Sequence, residues 1–141
     1  LPLLDPGAAT AVRTFSLSMA MGMPPQFHIN GRRFDPGRID HSVSLDAVEI
    51  WEIRNDDFMG LHHSFHVHGL HFQLLDRDGS AANVAPYERG LKDTVYLPAG
   101  GRVRILLQPT DYTADATAPY MFHCHILEHE DRGMMGQFVV V

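Results

Sequence analysis

The sequence predicts an all-β domain built as a two-sheet sandwich or barrel, and three observations support this fold class. Short runs rich in β-branched and aromatic residues recur along the chain, and many alternate apolar with polar positions. Gly, Pro, Asn and Asp punctuate these runs, and no stretch sustains three helical turns of apolar periodicity. Strands at such spacing are typical of antiparallel sandwiches and barrels.

The candidate strands follow one another along the chain as six runs. They are TFSLSMAM, SVSLDAVEIWEI, SFHVHGLHFQLL, DTVYLP, GRVRILL and GQFVVV. The stretches NGRRFDPGRID, DRDGSAANVAP and PTDYTADATAP contain the turn-forming residues and are predicted to be loops. The segment ILEHED, which follows the only cysteine, is predicted to form a short helical turn. Residues 1–10 are interpreted as a linker from an upstream region, and residues 11–141 as a single domain.

Length and charge narrow the possible functions. A chain of 141 residues can bury a core without a disulfide or a structural metal, and its single cysteine excludes an internal disulfide. The formal charge of −6 and the lack of any Lys or Arg run argue against binding to nucleic acid or an anionic membrane. No segment reaches the length of about 18 apolar residues that a membrane-spanning helix needs.

Two histidine clusters suggest the chemistry. They are HHSFHVHGLH at residues 62–71 and MFHCHILEHEDRGMM at residues 121–135. Residues two apart in a strand share a face, so His66 and His68 are predicted to point the same way. By the same alternation His123 and His125 share a face while Cys124 takes the other. Two such strands side by side would gather four imidazoles on one face and direct the thiol to a separate site.

The residues around the thiol match the ligand set of blue copper. A thiolate, two imidazoles and a weak axial thioether suit copper in electron transfer. The spacing Cys124-x4-His129-x4-Met134 offers three of these ligands from one segment, and His63 is the candidate for the second imidazole. Zinc prefers four strong ligands and has no use for a thioether, so copper is favoured.

The two clusters also carry a family resemblance. HSFHVHG resembles the H-P-x-H-x-H-G motif of multicopper oxidases, with Ser64 in place of the usual Pro, and HCHILEHEDRGMM resembles their H-C-H-x3-H-x4-M motif. Together with INGRRFD, EIWEIRN and GLKDTVYLP, the pattern is similar to the C-terminal cupredoxin domain of bacterial laccases and cuprous oxidases. It extends from about residue 10 to the end of the chain. The resemblance implies a Greek-key β-sandwich or barrel of the cupredoxin type.

The resemblance also implies a role for each matching residue. The type 1 copper ligands would be His63, Cys124, His129 and Met134. The type 2 ligand would be His66, and the type 3 ligands would be His68, His123 and His125. Electrons from a reductant would pass from Cys124 to the neighbouring His123 and His125. Glu130, beside His129, is a candidate to hydrogen-bond a ligand or to carry protons, with simple surface solvation as the alternative.

Only half of the oxygen-reducing site is encoded in these residues. The family's trinuclear copper cluster needs eight histidines, and four of them come from an N-terminal cupredoxin domain. The chain is therefore interpreted as the electron-accepting part of a larger oxidase whose partner is that domain of the same protein. Such an oxidase couples one-electron oxidation of a phenol-like substrate or Cu(I) to reduction of O2 to water. The resemblance further implies a periplasmic or secreted location.

Three other functions remain open on the residues alone. A stand-alone blue-copper electron carrier would explain the thiolate set but would leave four histidines without a role. A copper-binding protein without turnover would use the additional Met and His residues. A nitrite-reductase-like domain also combines a type 1 site with interfacial histidines, although it normally uses fewer of them.

Several further residues have two interpretations. His62 and His71 lie at the cluster edges and are interpreted as surface residues. Met19, Met21 and Met23 alternate as a strand face does, which favours a core or edge role over a Cu(I) relay. Asp56, Asp57 and Met59 precede His63 and either flank the site of electron entry or form a solvated loop.

Overall fold

Strands make up most of the regular structure in the described part of the chain. The computed structural model describes residues 4–23, 25–110, 115–124, 126 and 133–141. The strands are β1 Ala11–Ala20, β2 Gln26–Ile29, β3 His41–Val43, β4 Glu49–Asn55, β5 His63–Val67, β6 Phe72–Arg77, β7 Leu91–Lys92, β8 Thr94–Leu97, β9 Arg102–Leu107, β10 Asp115–His123 and β11 Met135–Val140. Short 3-10 turns occupy Pro6–Ala8, Ala81–Asn83 and Pro86–Glu88. No helix among these described residues is long and apolar enough to cross a bilayer.

The strands form two sheets, which confirms the predicted all-β class. The six-stranded sheet has the order β2-β1-β4-β9-β6-β7, and the five-stranded sheet has the order β3-β11-β10-β5-β8. Most neighbours are antiparallel, but β1 pairs with β4 and β11 pairs with β3 in parallel. These parallel pairs place chain segments distant in sequence side by side, so the sheet order could not be read from hairpin signals.

The structure corrects several predicted element boundaries. Two of the predicted runs are each two strands, because the chain turns at Asp46 (φ 65°) and at Gly69 (φ 82°). Residues 115–119, assigned to a loop by composition, extend β10 as an exposed strand. The predicted helical turn ILEHED lies outside the described residues except for Ile126.

Residues 4–10 contact the six-stranded sheet. The Leu4 N–H donates to Gln73 Oε1 at 2.6 Å, and the Thr10 N–H donates to the Val48 carbonyl at 2.9 Å. Leu4 and Ala9 also pack on a small apolar cluster of that sheet. The interpretation of residues 1–10 as a linker remains a prediction.

An aromatic core fills the space between the sheets. Phe15 lies 4.7 Å from Trp51 and 5.0 Å from Phe122, measured between ring centroids, and Phe138 packs edge-on to Trp51 at 5.7 Å. All four rings are at most 1% exposed. Burying large rings is the main apolar stabilisation of a sandwich of this size, and edge-to-face pairs add to it. Trp51 is therefore a core residue.

A partly buried ion pair connects the two sheets. Glu49 on β4 is 3% exposed and accepts hydrogen bonds from Arg13 Nε at 2.6 Å and from Trp51 Nε1 at 2.9 Å. Arg13 on β1 also donates to the Ser42 carbonyl on β3 at 2.7 Å. The carboxylate therefore satisfies the core tryptophan, and the guanidinium joins the six-stranded sheet to the five-stranded sheet.

Histidine 41 makes the stability of this junction dependent on pH. Its Nδ1 lies 3.4 Å from Arg13 NH1, a position that suits the neutral, accepting ring. Burial lowers the pKa of His41 below its ordinary value, and the Arg13 cation lowers it further, against the opposing effects of Asp40 and Glu49. The unfolded chain then binds the proton more readily than the folded one.

We therefore expect the free energy of unfolding to fall as the pH decreases from about 6.5, the unfolded value, towards the lowered folded value. Urea titrations of the wild type and of His41→Gln between about pH 5 and pH 7.5 would measure this. His41→Gln should show the smaller loss of stability on acidification. An equal loss in both proteins would contradict the role assigned to His41.

Candidate metal centre

The two histidine clusters meet where β5 and β10 pair. These strands are antiparallel neighbours, with His66 opposite His123 and Val67 opposite Phe122. Along β5 the side chains of His63, Phe65 and Val67 are buried, and the intervening residues are more exposed. Strand alternation thus sends part of each cluster into the core and part to the outer face of the five-stranded sheet.

The core side of this junction holds the thiol. Cys124 Sγ lies 3.7 Å from His63 Nδ1, although the two residues are 61 positions apart in the chain. Both residues are 0% exposed, as is Met134. The Cys124 N–H donates to the Met134 carbonyl at 3.1 Å, which places the two sulfur-bearing residues on adjoining backbone. A soft thiol, an imidazole and a thioether-bearing residue therefore share one buried region.

A buried carboxylate orients the His63 ring. Asp57 Oδ2 lies 2.8 Å from His63 Nε2, and both side chains are 0% exposed. Burial lowers the pKa of His63, and the hydrogen bond to Asp57 opposes this effect without cancelling it. The ring is therefore neutral at neutral pH, with its proton on Nε2 shared with Asp57 and its Nδ1 facing Cys124 Sγ. Such a partner fixes the tautomer of a metal-ligating histidine.

Asn55 in turn holds the loop that carries Asp57. Its Nδ2 donates to the carbonyls of Leu61 at 2.8 Å and Pro98 at 3.1 Å, and its Oδ1 accepts from the Asp57 N–H at 3.2 Å. Asn55 is 3% exposed. The loop before His63 is thus an ordered structure in which Asp57 is buried, while Asp56 and Met59 are exposed.

Three more histidines come together on the outer face. Ligand nitrogens of His66, His68 and His123 all lie within 4.8 Å of one another, close enough to hold a metal ion. Their ring centroids are 4.8 to 5.3 Å apart. The His68 and His123 Nε2 atoms face each other at 2.9 Å. This cluster is separate from the thiol, since it lies on the opposite face of the strand.

Hydrogen bonds define the tautomer of each ring in this cluster. His66 Nδ1 donates to the Asp93 carbonyl at 2.8 Å and lies 2.9 Å from Thr94 Oγ1. His123 Nδ1 donates to the Cys124 carbonyl at 2.9 Å. Both rings therefore carry a proton on Nδ1, which makes Nε2 the nitrogen through which each would bind a metal. His68 donates its Nε2 proton to His123 and would have to release or relocate that proton to bind a metal through Nε2.

The remaining predicted residues lie elsewhere. His125, His129 and Glu130 fall outside the described residues, so their proposed roles stay predictions. His62 and His71 are exposed, and the His62 ring contacts Tyr96 at 5.8 Å. Met19 packs partly against the core, whereas Met21 and Met23 are 80% and 102% exposed.

Sequence reasoning missed the residues that orient the candidate ligands. Asp93 and Thr94 lie in the motif GLKDTVYLP and Asn55 lies in EIWEIRN, but the sequence assigned no role to any of the three. The available signal was weak: a polar pair at the start of a strand and a polar residue at the end of one. Only the pairing of β5 with β8 shows that Thr94 lies opposite His66.

Fold and donor residues together define a β-sandwich domain with a candidate copper centre. A profile of the multicopper oxidase family matches residues 10–141. A multicopper oxidase of Staphylococcus haemolyticus is 45% identical over 122 residues, covering 84% of this chain and 26% of that protein. A bilirubin oxidase of Albifimbria verrucaria is 39% identical over 118 residues, covering 81% of this chain and 20% of that protein.

Solved structures agree with the sequence comparisons. The crystal structure of a multicopper oxidase from Pediococcus acidilactici superposes on 100% of this chain with a TM-score of 0.78 and 38% identity, and the match covers 28% of that protein. The chain belongs to the multicopper oxidase family, and its fold is of the cupredoxin type. It spans about a quarter of the length of the Staphylococcus relative.

Proposed function

We propose that the chain is the electron-accepting domain of a multicopper oxidase, with a type 1 copper held by His63, Cys124, His129 and Met134. One observation carries the proposal. Cys124 lies in the core beside His63, and its neighbour His123 lies within the three-histidine cluster on the other face. The two candidate sites are thus joined by the adjacent residues His123 and Cys124 at the end of β10.

The donor residues fit copper on chemical grounds. Sulfur and neutral imidazole donors are the set that copper prefers. The hydrogen bonds of His63 to Asp57 and of His123 to the Cys124 carbonyl define the tautomers of these two rings. Bound copper supplies one-electron redox chemistry between Cu(II) and Cu(I). The surrounding residues orient the imidazoles. Asp57 accepts a hydrogen bond from Nε2 of His63, and the Asp93 carbonyl accepts one from Nδ1 of His66, which also lies beside Thr94 Oγ1. Cys124 and His123 provide a short covalent path from the thiol to the cluster.

We further propose that the cluster is half of a shared oxygen-reducing site. His66 would bind the type 2 copper, and His68, His123 and His125 would bind the type 3 pair. The remaining ligands would come from an N-terminal cupredoxin domain of the same protein, which agrees with relatives about four times as long as the matched region. The intact protein would couple four one-electron oxidations of a phenol-like substrate or Cu(I) to reduction of O2 and four protons to two waters.

The three-histidine cluster favours this function over the alternatives. A stand-alone electron carrier has no need for three imidazoles converging beside its thiolate site.

We also propose a periplasmic or secreted location, which family membership supports. Cell fractionation with a reporter for each compartment would test it.

The test uses the intact protein that carries this chain, loaded with copper. We expect an intense visible thiolate-to-copper band, narrow EPR hyperfine splitting, and O2 consumption with a phenol or Cu(I). His68→Ala should keep the visible band and lose O2 reduction, because it removes one ligand of the cluster only. His71→Ala, an exposed histidine of the same sequence cluster, is the matched control and should keep both. A wild type without the band, or a His68→Ala variant with full O2 reduction, would refute the proposal.

A further inference from the structure

A segment distant in sequence contacts the residues that flank Met134. We call residues 33–40 the strap; it follows β2 and precedes β3. The Phe34 N–H donates to the Gly133 carbonyl at 2.9 Å, and the Asp40 N–H donates to the Gln137 carbonyl at 2.9 Å. The strap therefore bonds to the backbone on both sides of Met134.

Side chains make this attachment reciprocal. Asp40 Oδ2 accepts from the Gln137 N–H at 2.9 Å, and Asp40 Oδ1 accepts from Arg38 Nε at 2.6 Å. Gln137 is 7% exposed, and its Nε2 lies 3.2 Å from the Pro36 carbonyl and 3.1 Å from the Arg38 carbonyl. One buried amide thus holds the middle of the strap, and one carboxylate holds its end.

Close packing also fixes the residue before Met134. Gly133 has φ +106°, and a Cβ at this position would overlap Arg33 Cγ and lie 3.1 Å from the Phe27 carbonyl oxygen. Glycine is needed here both for its backbone conformation and for the approach of the strap. Because Cys124 N–H binds the Met134 carbonyl, the Met134 backbone is held between the strap and the thiol-bearing residue.

Hydrogen bonds of Asp40 hold the end of the strap. A cleft of about 260 Å³ borders it, lined among others by Arg38, Asp40, Met135 and Gly136. The cleft leaves open space beside this end of the strap. Loss of the Asp40 contacts would therefore let this end shift.

We propose that Asp40 and Gln137 are positioning residues that set where the Met134 sulfur lies relative to Cys124 and His63. The inference rests on the proposed function, in which Met134 is the axial ligand. An axial thioether binds copper weakly and at long range, so the bond itself cannot locate the sulfur and the surrounding protein must do so. The strength of that ligand tunes the reduction potential, so the strap acts on the potential without touching the metal.

The experiment compares Asp40→Ala, Asp40→Asn and Arg38→Met in the intact, copper-loaded protein. Asp40→Ala should change the ratio of the visible bands, the EPR rhombicity and the reduction potential. Asp40→Asn keeps an oxygen for the Gln137 N–H and should restore most of the wild-type values. Arg38→Met removes the partner of Asp40 Oδ1 and a bond to the Arg33 carbonyl within the strap, but it leaves the Asp40–Gln137 bonds in place. It should give a smaller change in the same direction, so one variant remains informative if Asp40→Ala does not fold.

A second readout does not depend on copper. Hydrogen exchange at the Gln137 amide of the copper-free protein should be about tenfold faster in Asp40→Ala, because a bond to a charged acceptor is lost. The control is Asp76→Ala on β6, which removes a carboxylate that binds Arg104 at 2.6 Å in the other sheet. It should lower stability and leave the copper spectrum unchanged.

The outcomes separate the two proposals. A wild type without the intense visible band would overturn the proposed function. A wild type with the band, and an Asp40→Ala protein with the same spectrum and potential, would overturn only the role of the strap.

Discussion

Replacement of Cys124 by serine is expected to abolish the intense visible band of the copper-loaded protein and its oxidation of substrate. A serine hydroxyl remains protonated and is a hard donor, whereas the thiolate is the soft ligand and the source of the band. The hydroxyl would also be buried in the core, where it costs about 1–3 kcal/mol of stability. Absorption spectroscopy, steady-state oxidation of a phenol and urea titration would measure the three effects.

A matched control separates loss of the ligand from loss of stability. Val103→Thr places a hydroxyl at a position on β9 that is 1% exposed, within the other sheet. It should cost a similar free energy of unfolding and retain the full spectrum. If Cys124→Ser kept the band, the thiolate assignment would be wrong, and with it the proposed type 1 site.

The second large effect is expected at Glu49. Glu49→Ala should lower the free energy of unfolding by about 1–3 kcal/mol, because it leaves the buried Trp51 N–H without its acceptor and removes the carboxylate opposite the partly exposed Arg13 guanidinium. Urea or thermal unfolding would measure the change. Glu49→Gln keeps an oxygen for Trp51 but loses the charge opposite Arg13, so it should fall between the wild type and Glu49→Ala.

Glu52 provides the comparison on the same strand. It pairs with Arg54, whose side chain is 48% exposed, at the surface of β4. Glu52→Gln should change stability by less than about 1 kcal/mol, because exposed pairs are screened by water. Equal effects of Glu49→Ala and Glu52→Gln would show that the buried network does not join the sheets as described.

Local pattern predicted the parts of the fold that depend on one strand at a time. Strand alternation predicted the face that His66 takes on β5, and the structure buries Phe65 and Val67 on the opposite face. The runs that became β1, β8, β9 and β11 were identified because period-two patterning is local. Short edge strands such as β2 and β7 were missed, since four or two residues give too little periodicity to recognise.

Contacts between distant segments were not predictable in the same way. Asp57 follows another acid in a polar stretch, which is equally typical of a solvated loop. Its burial depends on Asn55 binding Leu61 and the end of β8, and no pattern within the loop specifies those partners. The strap was predicted only as a turn-rich connection, because its bonds to Gln137 join residues about a hundred positions apart.

The sequence by itself predicted the candidate donor residues and their division between two strand faces, and it determined the family. Those depend on residue identity and on spacings within single segments, which the chain carries directly. Only the tertiary structure decided that His63 meets Cys124, that His68 and His123 face each other, and that Asp57, Thr94 and Asp40 hold their neighbours. Those contacts depend on sheet order and on the pairing of segments far apart in the chain, and such pairing is set by the packing of the whole core rather than by any local pattern.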